Sequence, residues 1–404
     1  MLQSLLFILI CSLALTVQAA HPEQRLLSAL QLVQQGQMSQ AESQLQSLLN
    51  DEPQFRAANL LYADILKARS RPLQAPGMGI AQSDELKSLV SEIQLRWQAQ
   101  GEIDLAGKIP SALGRLDDNY QHALVVDLKR SRLYVFENKS GQPNKIADYF
   151  VSMGRAGAEK NREGDLRTPL GVYFVQSFTP ATALDDKYGA GAYPLNYPNV
   201  WDTRHGRTGY GIWIHGTDSG TYNRPPLASE GCVVLPNKDL QAIGRYITLG
   251  QTQVIIGNGV EWLDATQWQA HQQSGNALFD QWLADWRSLN TFKYLKHYSA
   301  SFSDGKKNFR QWSKYKQRVA QGKTFIDVNA KNVSLLWHPN EQVMVATYLQ
   351  DYSSNNFTSQ AWKRQYWQKE TDGVWRIIHE GEVPAQESVS RLAKAAVVTE
   401  QQAN

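Results

Sequence analysis

Two residues carry most of the chemical potential of this sequence: His215 and Cys232, 17 positions apart in the segment GIWIHGTDSGTYNRPPLASEGCVVLPN, residues 211–237. A thiol with an ordinary pKa of about 8.5 is only slightly ionised at neutral pH. An enzyme built on cysteine therefore needs a base or a cation at its side. His215 ends an apolar strand signal, which makes its position rigid, and the excursion to Cys232 is long enough to loop back. Gly231, just before Cys232, permits a tight backbone and lets substrate approach. Backbone N–H groups around such a turn could hold the oxyanion of a tetrahedral intermediate. The alternative is a satisfied structural histidine and a small buried thiol, and spacing alone leaves both open. One cysteine and one nearby histidine do not make a zinc ligand set, so the reading implies no metal and no cofactor.

The compartment sharpens the question. Residues 1–19, MLQSLLFILICSLALTVQA, have an apolar core too short to span a bilayer, followed by small residues, as in a secretory signal peptide. No Lys or Arg precedes that core, and Ile10 before Cys11 does not suit a lipid anchor. No later stretch is apolar enough for a transmembrane anchor, so a periplasmic protein is expected. Of two cysteines, Cys11 would leave with the signal, and a lone thiol in an oxidising compartment must be buried or employed. With 41 basic and 38 acidic residues the net charge is only +3, which gives no reason to invoke nucleic acid. The 404 residues exceed what one core usually spans.

The elements that must position the pair fall into three regions. Residues 20–105 are predicted helical. Leu26, Leu27, Leu30 and Val33 recur at helical spacing up to Gly36, and Ser39-Gln40-Ala41-Glu42 reads as a capping box opening a second helix. Pro53 is placed to start a third helix, and another amphipathic one follows at about 83–99, after a linker at 70–82. This region is expected to pack onto the rest of the chain or to join two copies into a homodimer. Residues 120–258 change to a loop-rich, mostly antiparallel β pattern. It opens with a hairpin of His122–Leu128 and Arg132–Phe136, and further strands are expected at 149–153, 171–175, 211–215 and 253–256. Residues 275–384 show two helices with Trp and Phe, then strands at 324–328, 333–337, 343–352, 360–369 and 374–380, an α+β domain. A cut after residue 270 is expected to leave a folded catalytic domain, and residues 385–404 a mobile tail.

The segment around Cys232 closely resembles the active-site signature of the YkuD-type L,D-transpeptidases, His-Gly followed at this spacing by Ser-x-Gly-Cys. The residues concerned are His215, Gly216, Ser229, Gly231 and Cys232. Upstream, Tyr134-Val-Phe-Glu, the Thr168-Pro-Leu-Gly element and Tyr193-Pro-Leu-Asn-Tyr-Pro-Asn fit the same family, over about 120–258. The resemblance implies that Cys232 attacks the diaminopimelate carbonyl of a peptidoglycan stem peptide. It also implies that His215 protonates the departing D-alanine and is oriented by a backbone carbonyl, that of Gly216. Two positions depart from the family: Glu230 where His is frequent, and Val234 where Arg is frequent. That tilts the expected acceptor from a stem amine towards water. Arg204, Arg207 and Arg224 lie near the motif in sequence and are candidates to meet substrate carboxylates, or to form a solvated loop face. The three-part layout resembles the cell-shape L,D-carboxypeptidases, which implies a nuclear-transport-factor-like (SnoaL-like) module at the C-terminus. A non-catalytic wall-binding scaffold is the alternative of another class.

Overall fold

The computed structural model describes residues 21–69, 83–101 and 105–383. The expected signal peptide, the linker at 70–82 and the C-terminal tail lie outside the described residues. Four helices open the chain: α1 (Pro22–Gln34), α2 (Met38–Asp51), α3 (Arg56–Ala68) and α4 (Asp84–Gly101). Their apolar faces meet in one core containing Leu26, Leu45, Leu48, Leu61 and Ile93. Gly36 closes α1 at φ +73°, a conformation glycine adopts without a Cβ penalty. Two local expectations fail. Helix α2 begins at Met38 and has no side-chain cap, so Ser39 already lies inside it and its carbonyl accepts from Ser43. Pro53 sits in the turn before α3, whose N-terminal flank is Phe55. At α3 the buried Phe55, rather than Pro53, flanks the helix start.

The middle region is mostly β and is built on two sheets. One has the strand order Gln142–Phe150, Arg132–Lys139, His122–Asp127, Gln253–Gly257, Gly171–Phe174. The other runs Val233–Val234, Trp213–His215, Gly191–Pro194, Thr179–Pro180. The expected hairpin of His122–Asp127 and Arg132–Lys139 is present. The region is mostly antiparallel, as expected, with three parallel pairings. His122–Asp127 with Gln253–Gly257, Trp213–His215 with Val233–Val234, and Leu227–Ser229 with Met153–Gly154 all run parallel. The reason lies in the sequence. Ala-Leu-Val-Val at 123–126 and Val-Ile-Ile at 254–256 are apolar without alternation, as strands buried on both faces must be. Leu124, Val126, Val254 and Ile256 face the core under the second sheet. Ala123, Val125 and Ile255 face the C-terminal domain.

That C-terminal domain is α+β. A helix at Ala265–Arg287, begun by a capping box of Asp264 and Gln267, covers a five-stranded sheet together with Phe309–Gln321. The two strands expected at 324–328 and 333–337 are one, Ile326–Trp337, with a register shift between Lys331 and Ser334, where Asn332 takes φ +52°. A short irregularity of this kind reads as a break in sequence, while the hydrogen-bond ladder continues through it. One edge strand of the sheet is Leu113–Leu116, which precedes the catalytic region in sequence. Leu113, Leu116, Trp268, Leu336, Val345, Tyr366 and Ile378 share a core with Val125, Tyr134, Phe136 and Ile255. The two β regions thus bury one another, and the expectation of a catalytic domain that survives a cut after residue 270 does not fit this packing. No helix among the described residues is long and apolar enough to cross a membrane.

Candidate active site

His215 is the last residue of the strand Trp213–His215, and Cys232 immediately precedes Val233–Val234. These strands are parallel neighbours, with Ile214 beside Val233 and His215 beside Val234. The His215 carbonyl continues the ladder by accepting from the Leu235 N–H at 2.9 Å. Residues two apart along a strand share a face. The register therefore brings the histidine and the cysteine to one end of the same sheet face.

Each side chain is held. The His215 ring is 3% exposed, and its Nδ1 lies 2.6 Å from the Gly216 carbonyl oxygen. A carbonyl oxygen only accepts, so Nδ1 carries the proton and Nε2 of the neutral ring keeps its lone pair. Tyr188 packs edge-on against His215, ring centroids 5.0 Å apart, and against Trp213 at 4.9 Å. The Cys232 thiol is half-buried and donates to the Gly211 carbonyl at 3.3 Å. Ser229 ties the turn before it: its hydroxyl donates to the Cys232 carbonyl at 2.6 Å and accepts from the Gly231 N–H at 3.1 Å. Gly231 sits at φ +129°, and a Cβ there would lie 2.7 Å from the Arg167 carbonyl oxygen, so only glycine fits.

Burial lowers the pKa of His215 to about 4, helped by the Arg224 and Lys187 charges and opposed by the bond to Gly216. Burial pushes the Cys232 thiol up to about 11, against the Trp213 N–H and the Arg224 charge. Between those values both groups are neutral. In that range the pair is a thiol and an uncharged imidazole.

One residue was not found from sequence. Asn237, 20 positions past Thr217, staples the turn that follows His215. Its Oδ1 accepts from the N–H groups of Ala190 and Thr217 at 2.8 and 3.1 Å, and its Nδ2 donates to the Thr217 carbonyl at 2.8 Å. A Cβ on Gly216 would lie 2.1 Å from the same Oδ1. In sequence Pro236-Asn237 reads only as a turn, and no local signal shows so distant a partner.

The candidate arginines separate. Arg224 is brought to the site, with Nε donating to Thr217 Oγ1 at 3.2 Å and Nη2 to the Lys187 carbonyl at 2.6 Å. Arg207 is not: it pairs with Asp202 at 3.3 Å and with Glu341 of the C-terminal domain at 2.7 Å. Arg204 donates to the Ser301 carbonyl. Both link the catalytic region to the C-terminal domain. Val234 is a buried strand residue, and Glu230 is exposed beside the cysteine. A cavity of about 960 Å³ lies in the C-terminal domain, lined by Trp286, Tyr294, Trp312, Lys316 and Tyr352 among others.

Comparison with known proteins matches two regions of the chain. Residues 121–256 match the L,D-transpeptidase catalytic domain, YkuD, and residues 276–381 match the Cds6 C-terminal NTF2-like domain. YafK of Escherichia coli K12, named as an L,D-transpeptidase, is 29% identical over 118 residues. Those residues are 29% of this chain and 42% of YafK, so the chain spans less than half of that relative. Among solved structures, Bd1075 of Bdellovibrio bacteriovorus is 27% identical with a TM-score of 0.62. That match covers 69% of this chain and 98% of the other. The helical cell shape determining protein Pgp2 of Campylobacter jejuni shares the fold at 24% identity and a TM-score of 0.57, over 67% of this chain and 95% of its own. Residues 121–256 are a YkuD L,D-transpeptidase catalytic domain, set between a helical N-terminal region and a C-terminal NTF2-like domain.

Proposed function

We propose that this protein cuts the bond between diaminopimelate and D-alanine in peptidoglycan tetrapeptide stems, by way of a Cys232 acyl-enzyme that water resolves. The observation that carries the reading is the geometry of His215: buried, with Nδ1 committed to Gly216, which leaves Nε2 to accept a proton. The Cys232 sulfur attacks the carbonyl carbon at the L-centre of diaminopimelate, and its proton passes to His215. The tetrahedral intermediate expels D-alanine, whose amine takes that proton. Water then attacks the thioester and gives a proton to His215. The thiolate of Cys232 leaves and is reprotonated from His215, freeing the tripeptide. Ser229 and Gly231 hold the nucleophile's turn, which leaves the Gly231 N–H engaged with Ser229 rather than with an oxyanion.

Water as acceptor is supported by Val234 and Glu230. The position two past the cysteine offers no positive charge, and a negative one stands beside it. An amine-bearing stem must be oriented by contacts that offset its lost freedom, whereas water needs almost none. Pgp2 is named as a cell shape protein, and we extend that role in cell shape to this chain, acting in the periplasm.

Purified disaccharide-tetrapeptide, incubated with the protein and resolved by mass, should yield disaccharide-tripeptide and free D-alanine with few 3–3 dimers. Dimers forming faster than tripeptide would replace the carboxypeptidase with a transpeptidase. No turnover, together with no acylation of Cys232 by a thiol-reactive β-lactam, would leave a wall-binding scaffold.

A further inference from the structure

The helical N-terminal region packs against the loop that joins the His215 strand to the Cys232 turn. Between Gly216 and Ser229 the chain leaves the His215 strand and returns to the Cys232 turn. Tyr222, midway, is buried in the core of the helices rather than in that of the catalytic domain. Its ring centroid lies 4.3 Å from that of Phe55, and its N–H donates to the Gln54 carbonyl at 3.2 Å. Asn223, also buried, donates from Nδ2 to Glu92 Oε1 of α4 at 2.9 Å. Glu92 is paired with Arg96 at 3.0 Å, and Arg96 with Glu23 of α1 at 2.9 Å. Glu23 also pairs with Arg132 of the catalytic sheet. All four charged side chains are buried. Buried charges cost stability unless they are paired, so this network ties the helices both to the loop and to the catalytic sheet.

Arg224 follows this anchor directly. Its carbonyl accepts from Ser152 Oγ at 2.6 Å and from Asn223 Nδ2 at 3.0 Å. Its guanidinium turns towards the site, onto Thr217 and the Lys187 carbonyl, with Asp218 at 3.5 Å on the rim. The side chain remains 19% exposed. A guanidinium carries five N–H donors in a fixed fork suited to a carboxylate, and these contacts occupy only part of it. Its charge bears on both His215 and Cys232.

We propose that Tyr222 and Asn223 are positioning residues: seated in the helical region, they hold Arg224 beside His215 and Cys232, where Arg224 reads a free carboxylate of the stem peptide. The N-terminal helices are thereby part of the active site. The inference rests on the peptidoglycan reading above only for its choice of ligand.

The test measures binding, so it is independent of turnover. The full-length protein carrying Cys232→Ala is titrated by calorimetry with disaccharide-tetrapeptide and with two monoamides, one at the terminal D-alanine carboxylate and one at the diaminopimelate side-chain carboxylate. At least one monoamide should bind about tenfold more weakly, the size expected for a lost charge-assisted pair. That penalty should vanish when Arg224→Ala is added, and also when Asn223→Ala or Tyr222→Ala is added, with thermal unfolding confirming the fold. Tyr222→Phe, which keeps the ring, should retain it. The inference is overturned if neither amide binds more weakly, or if the penalty persists in the folded Asn223→Ala or Tyr222→Ala protein. Turnover of the wild-type protein, assayed in parallel, decides the enzymatic reading separately. A protein that binds with the carboxylate preference but turns nothing over fails that reading and not this one.

Discussion

His215 Nδ1 and the Gly216 carbonyl oxygen, 2.6 Å apart, are adjacent in sequence, and this contact fixes which ring nitrogen carries the proton. The carbonyl accepts a hydrogen bond from Nδ1–H, which leaves the ring's lone pair on Nε2. A backbone carbonyl thus does what a carboxylate does in a Ser-His-Asp triad, without the negative charge that would raise the histidine's pKa.

The pH dependence follows. A histidine lowered to about 4 is neutral, and therefore a base, at every pH above that value. A thiol raised to about 11 keeps its proton, the one needed by the leaving amine, at every pH below that. The kcat/KM profile should be flat between these limits, falling as pH drops through about 4 and again as it rises through about 11. An acid limb centred at the ordinary histidine value of about 6.5 would show that the ring is solvated, or ion-paired with the thiolate.

Cys232→Ala should abolish turnover by several decades while leaving the melting temperature within a few degrees, because a half-buried sulfur is lost and little volume changes. Residual hydrolysis above about a tenth of wild type would exclude a nucleophilic role, since true nucleophiles show far larger losses.

For Asn237→Ala, the two N–H groups and the carbonyl that share its amide lose their partner together. Urea unfolding should show a loss of about 1–3 kcal/mol. Because the turn it staples carries Gly216, kcat should fall more than KM rises. An Asn237→Ala protein with wild-type kcat would mean that the turn holds itself.

Removal of residues 271–404 should yield an insoluble or molten protein. The cut strips Leu336, Val345, Tyr366 and Ile378 from Val125, Tyr134 and Ile255, and leaves Leu113–Leu116 without the strand it pairs with. A sharp near-ultraviolet circular dichroism spectrum from the truncated protein would show that the shared core is dispensable.

Arg207, by contrast, illustrates how a sequence neighbour of the motif can serve another purpose. Its bond to Glu341 spans the catalytic and C-terminal domains, and Glu341 also accepts from the Trp201 indole at 3.1 Å. Glu341→Gln should lower thermal stability without changing the affinity for stem peptide. A weakened affinity would return Arg207 to the substrate.

The sequence by itself determined the class of each region and singled out the residues whose chemistry is proposed. Cysteine and histidine are scarce and reactive, Gly231 stands where only glycine fits, and apolar runs with period two or none mark strands wherever they occur. These are properties of single residues and short windows, so they survive without coordinates. What only the tertiary structure decided involves partners far apart in the chain. It gave Asn237 to the His215 turn, Arg207 to Glu341, Tyr222 and Asn223 to the N-terminal helices, and Leu113–Leu116 to a sheet formed some 200 residues later. No local pattern encodes such pairings. A polar side chain on a turn looks the same whether it meets water or a buried carboxylate, and the choice is made when separate apolar faces close over one another and each enclosed polar group must find a partner.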